Sequence, residues 1–307
     1  MIKRTIHLGS PCKLKTKDKQ LVIKYNHIPG QEDMPDKSLP IEDIGFLILE
    51  HRQISISHPT LNVLVKNNTA IVSCDERMHP NGLMLPLEGN TTQSERYQAQ
   101  ILASEPLKKQ LWQQTIIAKI KNQAINLNHW NVDNEYLRRC AKNVKSGDTD
   151  NQEATASFYY WQRLFPPAWE FSRKREGAPP NNLLNYGYAI LRATVARSLV
   201  GAGLLPTLGI FHRNRYNAYC LADDIMEPFR PCVDWVVRSI IQDTSHIKEL
   251  NRELKVQLLN IPAMDVLVDN KTRPLMIATQ QVAADLAKCF LGESRKIEYP
   301  KLHVSTP

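Results

Sequence analysis

The sequence predicts an α+β chain: a small N-terminal β domain over residues 1–88, followed by a larger all-α-helical domain over residues 89–307. Two observations carry this. Short β-prone runs bounded by Pro, Asn and Asp fill the first part, and from residue 107 the apolar period changes to 3.6 and stays there. A polar stretch between them, "EGNTTQSER" at 88–96, marks the boundary. The length of 307 residues agrees with two domains, because single cores stop growing near ~250–300 residues.

Taken in order, "KLKTKDKQLVIKY" (13–25) is a hairpin pattern, two β-prone arms about a polar Lys17-Asp18-Lys19-Gln20 turn. "DIGFLILE" (43–50), "QISIS" (53–57) and "AIVSCD" (70–75) are further short strands. "TLNVLVKNN" has the look of a short helix ending at an Asn pair, and "NGLMLPL" supplies the return chain. Helical spacing then runs through "LKKQLWQQTIIAKIKNQAINL" (107–127), "NEYLRRCAKN", "EATASFYYWQRLF", "NNLLNYGYAILRATVARSLVGAGL", "YNAYCLADDIMEPF", "HIKELNRELKVQLLN" and "LMIATQQVAADLAKCFLG". Gly201, Gly203 and Gly292 stand where helix stops are expected.

The formal charge of +8 favours nucleic acid or another anionic surface as partner. The N-terminal "MIKRTIHLGS" has no apolar core of a secretory signal, and the longest uncharged run, 198–211, is too short for the roughly 20 residues of a membrane span. No membrane association is expected. The cysteines at 12, 74, 140, 220, 232 and 289 show no CxxC spacing, which argues against structural zinc and a disulfide scaffold. Reduced thiols in a cytoplasmic protein fit best.

One stretch, "HRNRYNAYCLADDIMEPFRP" (212–231), crowds a histidine, three carboxylates and three arginines. On a helix, Leu221, Ala222, Ile225, Met226 and Phe229 occupy an arc of about 140°, with Asp223, Asp224 and Glu227 opposite. Alone, that is an amphipathic helix with a wet acidic face, although Asp224 and Glu227 are spaced to reach one cation. Glu153, in "DNQE" (150–153), reads as the last member of a capping box opened by Asp150. His212 follows an apolar, Gly-rich segment, where a packed or hydrogen-bonded role is the ordinary one. Together these residues list carboxylates and one imidazole, a set compatible with Mg²⁺ or Mn²⁺. Arg213, Arg215 and Arg230 flank the acids, and "SRKREG" (172–177) adds a basic loop. Metal-bound carboxylates in a cationic protein are what phosphodiester chemistry requires.

The combination of "NQEATASFYYWQRLF", the block from "NNLLNYGYAILRATVARSLVGAGLLPTLGIFH" through "RNRYNAYCLADDIMEPFRP", and the earlier "CDERMHPNGLMLPL" resembles the CRISPR-associated integrase, the catalytic subunit of spacer acquisition, with the type II branch closest. The resemblance spans nearly the whole chain. It implies that Glu153, His212 and Glu227 are metal ligands, with Asp224 as a supporting acid. Many relatives carry aspartate at the position of Glu227. Asp223 receives no role from it.

The implied reaction is attack of a DNA fragment's 3′-hydroxyl on a phosphodiester at a CRISPR repeat boundary, without a covalent protein intermediate. Metal-dependent cleavage of branched DNA is the same chemistry on another substrate. The implied partners are DNA fragments with 3′-hydroxyl ends, CRISPR repeat DNA, a second copy of the chain joined through the β domain, and a small adaptation protein bridging two dimers. An effector nuclease is a further candidate partner. By charge and position, Arg213 and Arg215, then Arg173, Lys174 and Arg175, are candidate DNA phosphate contacts. His79 reads as structural or as part of the domain interface. A stand-alone repair nuclease and a non-catalytic basic DNA scaffold are the competing readings.

Overall fold

Residues 3–303 are described in a computed structural model, except 28–33, 77, 175, 176, 178, 243–246 and 248. Two compact units divide the chain, Met1–Gly89 and Asn90–Pro307.

In the first unit, strands β1 (Arg4–Leu8), β2 (Cys12–Lys17), β3 (Gln20–Tyr25), β4 (Lys37–Pro40), β5 (Ile44–Leu49) and β6 (Ile54–Ile56) precede helix α1 (His58–Lys66), and β7 (Ala70–Cys74) and β8 (Pro80–Met84) follow it. They form two four-stranded sheets, β1-β5-β7-β8 and β4-β3-β2-β6. The hairpin read at 13–25 is β2–β3, in register from Cys12↔Tyr25 to Lys17↔Gln20. Asp18 and Lys19 both take positive φ, 50° and 59°, the two-residue turn that matches the twist of paired strands. Alternation sends Leu14, Leu21 and Ile23 into a core with Ile44, Leu47 and Leu64. α1 ends at the Asn pair, where Asn68 accepts the left-handed conformation (φ 56°) that closes the helix.

The second unit holds helices α2 (Gln93–Ile101), α3 (Glu105–His129), α4 (Glu135–Asn143), α5 (Gln152–Leu164), α6 (Asn181–Gly201), α7 (Cys220–Met226), α8 (Arg230–Gln242), α9 (Arg252–Leu259) and α10 (Leu275–Phe290). The predicted order, strands and then helices, is the observed one. Three details are additional. α2 starts inside the polar stretch read as a boundary, and α8 follows the acids. The helical unit also carries a small antiparallel sheet of β9 (Asp265–Val268), β10 (Lys271–Pro274) and β11 (Lys301–Leu302). Gly203 (φ 72°) and Gly292 (φ 78°) supply the left-handed residue just beyond α6 and α10.

α3 is the spine that positions the site. Ser104 caps it by accepting the Leu107 N–H, and 25 residues run without interruption. Its buried side is only partly apolar: Asn122, Gln123 and Asn126 lie there with Trp112, Ile116, Ile120 and Leu127. Asn122 donates to the carbonyls of Pro228 (2.8 Å) and Pro300 (3.1 Å) and accepts from the Leu302 N–H (3.0 Å). Asn126 donates to Tyr160 Oη (2.7 Å) and to the Pro231 carbonyl (3.2 Å). These bonds tie α5 and the start of α8 to one helix face. An unsatisfied buried amide would cost ~1–3 kcal/mol, so the register of these elements on α3 is strongly fixed. All six cysteines are free, and among the described residues no helix is long and apolar enough to cross a membrane.

Candidate active site

Three separate stretches of the helical unit supply the carboxylates and the histidine. Glu153 is the second residue of α5. The capping box expected from Asp150 is not formed. Asp148 accepts the N–H groups of Gln152 (2.9 Å) and Glu153 (3.0 Å), while Asp150 pairs with Lys145 (2.6 Å). The reason is local backbone: Gly147, Asp148 and Asn151 all have positive φ, and that turn aims the earlier aspartate at the helix start. Relieved of capping, the Glu153 carboxylate accepts from Ser157 Oγ (3.0 Å) and from Lys119 Nζ.

Lys119 links the parts. It projects from the buried face of α3, and its Nζ also lies 2.6 Å from Glu227 Oε2. Glu227 opens a single 3₁₀ turn after α7, before Pro228, and its other oxygen accepts from Arg230 Nε (2.7 Å). Oε2 is buried, and the Lys119 ammonium is its charged partner. Burial opposes the charge on Glu227, but Arg230 and Lys119 outweigh it and hold the carboxyl at about 2. Burial likewise disfavours the Lys119 ammonium, and Glu227 and Glu153 together raise its pKa above the ordinary lysine value.

His212 lies on the loop between α6 and α7. Its Nδ1 is 2.5 Å from Asp224 Oδ1, and Asp224 also accepts the backbone N–H groups of Phe211 (2.9 Å) and His212 (3.2 Å). Asp224 is fully buried, so one carboxylate fixes both the loop and the ring. The hydrogen bond that His212 donates to Asp224 raises the histidine pKa against burial, which lowers it. Phe211 stacks on Trp112 of α3 (4.2 Å between centroids), and the imidazole meets Trp112 edge-on. Gly209 is required by this loop: a Cβ there would collide with the His212 carbonyl and sit 2.7 Å from Asp224 Oδ2.

The wet acidic face is overturned. Asp223, Asp224 and Glu227 are all buried. Asp223 is held by Arg192 of α6 through two contacts (2.6 and 3.1 Å) and by Asn217 Nδ2 (2.7 Å). The charge of α7 faces inward because basic and amide partners from α6 and the preceding loop meet it there.

Glu153 and Glu227 thus converge on one ammonium, while His212 is held on Asp224; among the described residues no three of His, Cys, Asp and Glu close up into a cage for an ion. The donor chemistry nonetheless suits a hard divalent cation. Two carboxylates already share a single positive charge, and the histidine has Nδ1 committed to a carboxylate, which is how ligating imidazoles are oriented.

Of the basic candidates, Arg213 pairs with Glu105 (2.5 Å) and Arg215 packs on the Tyr216 ring (4.6 Å). Both line an open cleft of about 450 Å³ beside His212, with Lys108 and Asn217. Arg173 donates to Asn181 (3.0 Å) and Asn185 (2.8 Å), and the Lys174 side chain is exposed. Arg175 lies outside the described residues. His79 is structural in its backbone, which closes a turn with Asp75 through two 2.9 Å bonds.

Sequence reasoning missed Lys119, Trp112 and Arg192. A signal for the first existed: Trp112, Ile116, Lys119, Ile120 and Gln123 fall on one helical stripe, so the lysine sits where an apolar residue belongs.

Comparison with known proteins follows the same line. The family described as CRISPR associated protein Cas1 matches residues 7–260. A CRISPR-associated endonuclease Cas1 from Neisseria meningitidis is 38% identical over 258 residues, covering 83% of this chain and 82% of that protein. Among solved structures, a casposase bound to integration product superposes with a TM-score of 0.79 at 21% identity, covering 97% of this chain and 93% of that one. The Cas6-RT-Cas1–Cas2 complex matches with a TM-score of 0.70 at 21% identity, covering 99% of this chain and 37% of that one.

Proposed function

The chain belongs to the Cas1 family of CRISPR-associated proteins, and from that membership we propose that the buried group around Lys119 is the centre of a DNA integrase and endonuclease of CRISPR adaptation. The enzyme is a divalent-metal-dependent endonuclease and integrase. It inserts foreign DNA fragments into the repeat array by attack of a fragment 3′-hydroxyl on a repeat-boundary phosphodiester. One ester bond forms as another breaks; the departing 3′-oxygen of the target strand takes the proton that the attacking hydroxyl gives up.

The observation that carries the site assignment is the convergence of Glu153 and Glu227, from two separate elements, on a single buried positive charge. Glu153, Glu227 and His212 would hold Mn²⁺ or Mg²⁺. The ion, when bound, polarises the phosphate and lowers the pKa of the attacking hydroxyl. Asp224 keeps the imidazole turned and its Nδ1 proton in place, so that Nε2 is the free ligand nitrogen. Arg230 keeps Glu227 ionised. Arg213, Arg215, Arg173, Lys174 and Arg175 are the proposed phosphate contacts; they supply affinity and salt dependence. The partners that fit are double-stranded fragments with 3′-hydroxyl ends, CRISPR repeat DNA, a second copy joined through the β unit, and a small adaptation protein bridging two such dimers.

The test uses a labelled branched DNA that mimics a half-integrated fragment, with wild type, His212→Ala and Glu227→Ala, in Mn²⁺ and in EDTA. Resealing of the target strand with release of the branch, dependent on metal and lost in both variants, is the expected result. Hydrolysis without resealing means a stand-alone nuclease. Intact DNA binding in all three proteins with no reaction means a scaffold.

A further inference from the structure

A small cavity of about 120 Å³ is lined by Lys119, Arg173, Tyr188, Glu227, Arg230 and Asp234, among others. Pockets for a whole small molecule run to ~300–1,000 Å³, so this one admits a group of a few heavy atoms. Its charge is unusual. Arg173 and Arg230 both lie against one ring, with guanidinium carbons 5.5 and 4.6 Å from the Tyr188 centroid. Two like charges close to one ring repel each other, and among the described residues it is Arg230 that has a carboxylate in contact, Glu227. The hydrogen bonds of Arg173 run to neutral acceptors: the Lys174 carbonyl, Asn181 and Asn185.

The remaining acid, Asp234, attracts both Arg230 and Arg173 but among the described residues is in ion-pair contact with neither. Asp234 accepts from the hydroxyls of Tyr160 (3.0 Å) and Tyr188, which occupy both of its oxygens. Burial pushes its carboxyl up to about 7, so near neutrality much of it is protonated. Lys119 is shared between Glu153 and Glu227. The cavity is a cationic notch whose walls are held by packing, and what completes it is an anion.

We propose that this notch seats a phosphate of the DNA strand worked on by Glu153, His212 and Glu227, with Arg173 and Arg230 as its positioning residues. The assignment rests on the reading of the chain as a DNA-processing enzyme. It places a phosphodiester oxygen within reach of two guanidiniums, the fork geometry that suits phosphate, one carboxylate away from the metal ligands. A nucleobase does not fit the volume.

The experiment measures equilibrium binding of the branched DNA in EDTA, with a single uncharged methylphosphonate at each of the three phosphates around the branch point in turn. Wild type is expected to lose about tenfold in affinity at one of the three, the worth of one charge-assisted hydrogen bond. Arg173→Gln binds that DNA and the unmodified DNA equally, and Arg173→Lys recovers part of the difference. Arg230→Lys is the second variant; it keeps the charge beside Glu227, and a reduced discrimination is expected there too. Discrimination that persists in Arg173→Gln, or wild type that discriminates at none of the three positions, overturns the proposal. Neither outcome touches the metal assignment, which is read separately from Mn²⁺ binding to Glu153→Gln and Glu227→Gln.

Discussion

Replacing Lys119 with methionine removes the ammonium that Glu153 and Glu227 share and leaves the packing volume nearly unchanged. Taking one partner out of a buried ion pair costs ~3–5 kcal/mol, because the other charge is left without compensation. The lower end applies here. The Glu153 side chain is 29% exposed, and Glu227 keeps Arg230. A loss of ~3 kcal/mol in a unit of this size lowers Tm by roughly 6–12 °C. The pH dependence has a definite sign. In the folded protein Glu227 titrates at about 2 and in the unfolded chain near ~4.3, so its stabilisation is present above ~4.3 and is lost as pH falls towards 2. The variant has less of that term to lose, and the gap between the two proteins narrows as pH falls from 6 to 3. Mn²⁺ at a hundred times its Kd adds ~2.7 kcal/mol to whatever it binds. The variant gains more from it than wild type, where the ion competes with the ammonium. Thermal melts of both proteins at several pH values, with EDTA or Mn²⁺, read all of this. A Tm difference under 2 °C at pH 7, or a gap that widens in acid, would refute the reasoning.

Asp224→Asn keeps the shape of the residue but removes the charge that raises the His212 pKa, so an NMR titration of His212 should show its midpoint falling, with metal affinity down ~10–100-fold. Gly209→Ala drives a methyl group against the His212 carbonyl and the Asp224 carboxylate; melting should show a loss of ~1–3 kcal/mol. Asp234 has a folded pKa raised to about 7, against an unfolded value near ~3.9, so it favours the fold fully only below ~3.9 and that contribution is lost as pH rises to 7. Asp234→Asn should flatten the stability profile between pH 4 and 7 in denaturant titrations.

The strands and helices were legible where period and turn chemistry agreed. The β2–β3 hairpin follows from alternation around Asp18-Lys19, and α3 from its long 3.6 repeat. β11 was not legible, since two residues, Lys301 and Leu302, become a strand only because β9 lies beside them. The family resemblance singled out Glu153, His212, Asp224 and Glu227 as candidates, and the electrostatics that surround them were illegible. Nothing in "LADDIME" says that Asp223 faces Arg192, because the partner is 31 residues earlier on another helix. The capping box failed for the converse reason: a local pattern, Asp150 to Glu153, lost to the turn at Gly147 that no spacing rule reports. Lys119 was hidden by a habit of reading lysine as surface.

The bonds of Asn122 also set a timetable. The side chain reaches Pro228, Pro300 and Leu302, and the last of these is 180 residues further along the chain. At ~5–20 residues per second of synthesis, roughly 10–35 s pass between the emergence of Asn122 and that of its final partner. Pro228 emerges earlier, so the clasp on the 3₁₀ turn that presents Glu227 can form while the Asn122 amide oxygen still waits for Leu302. Full bonding of the α3 amide is therefore a late event of synthesis, completed only after α10 has been made.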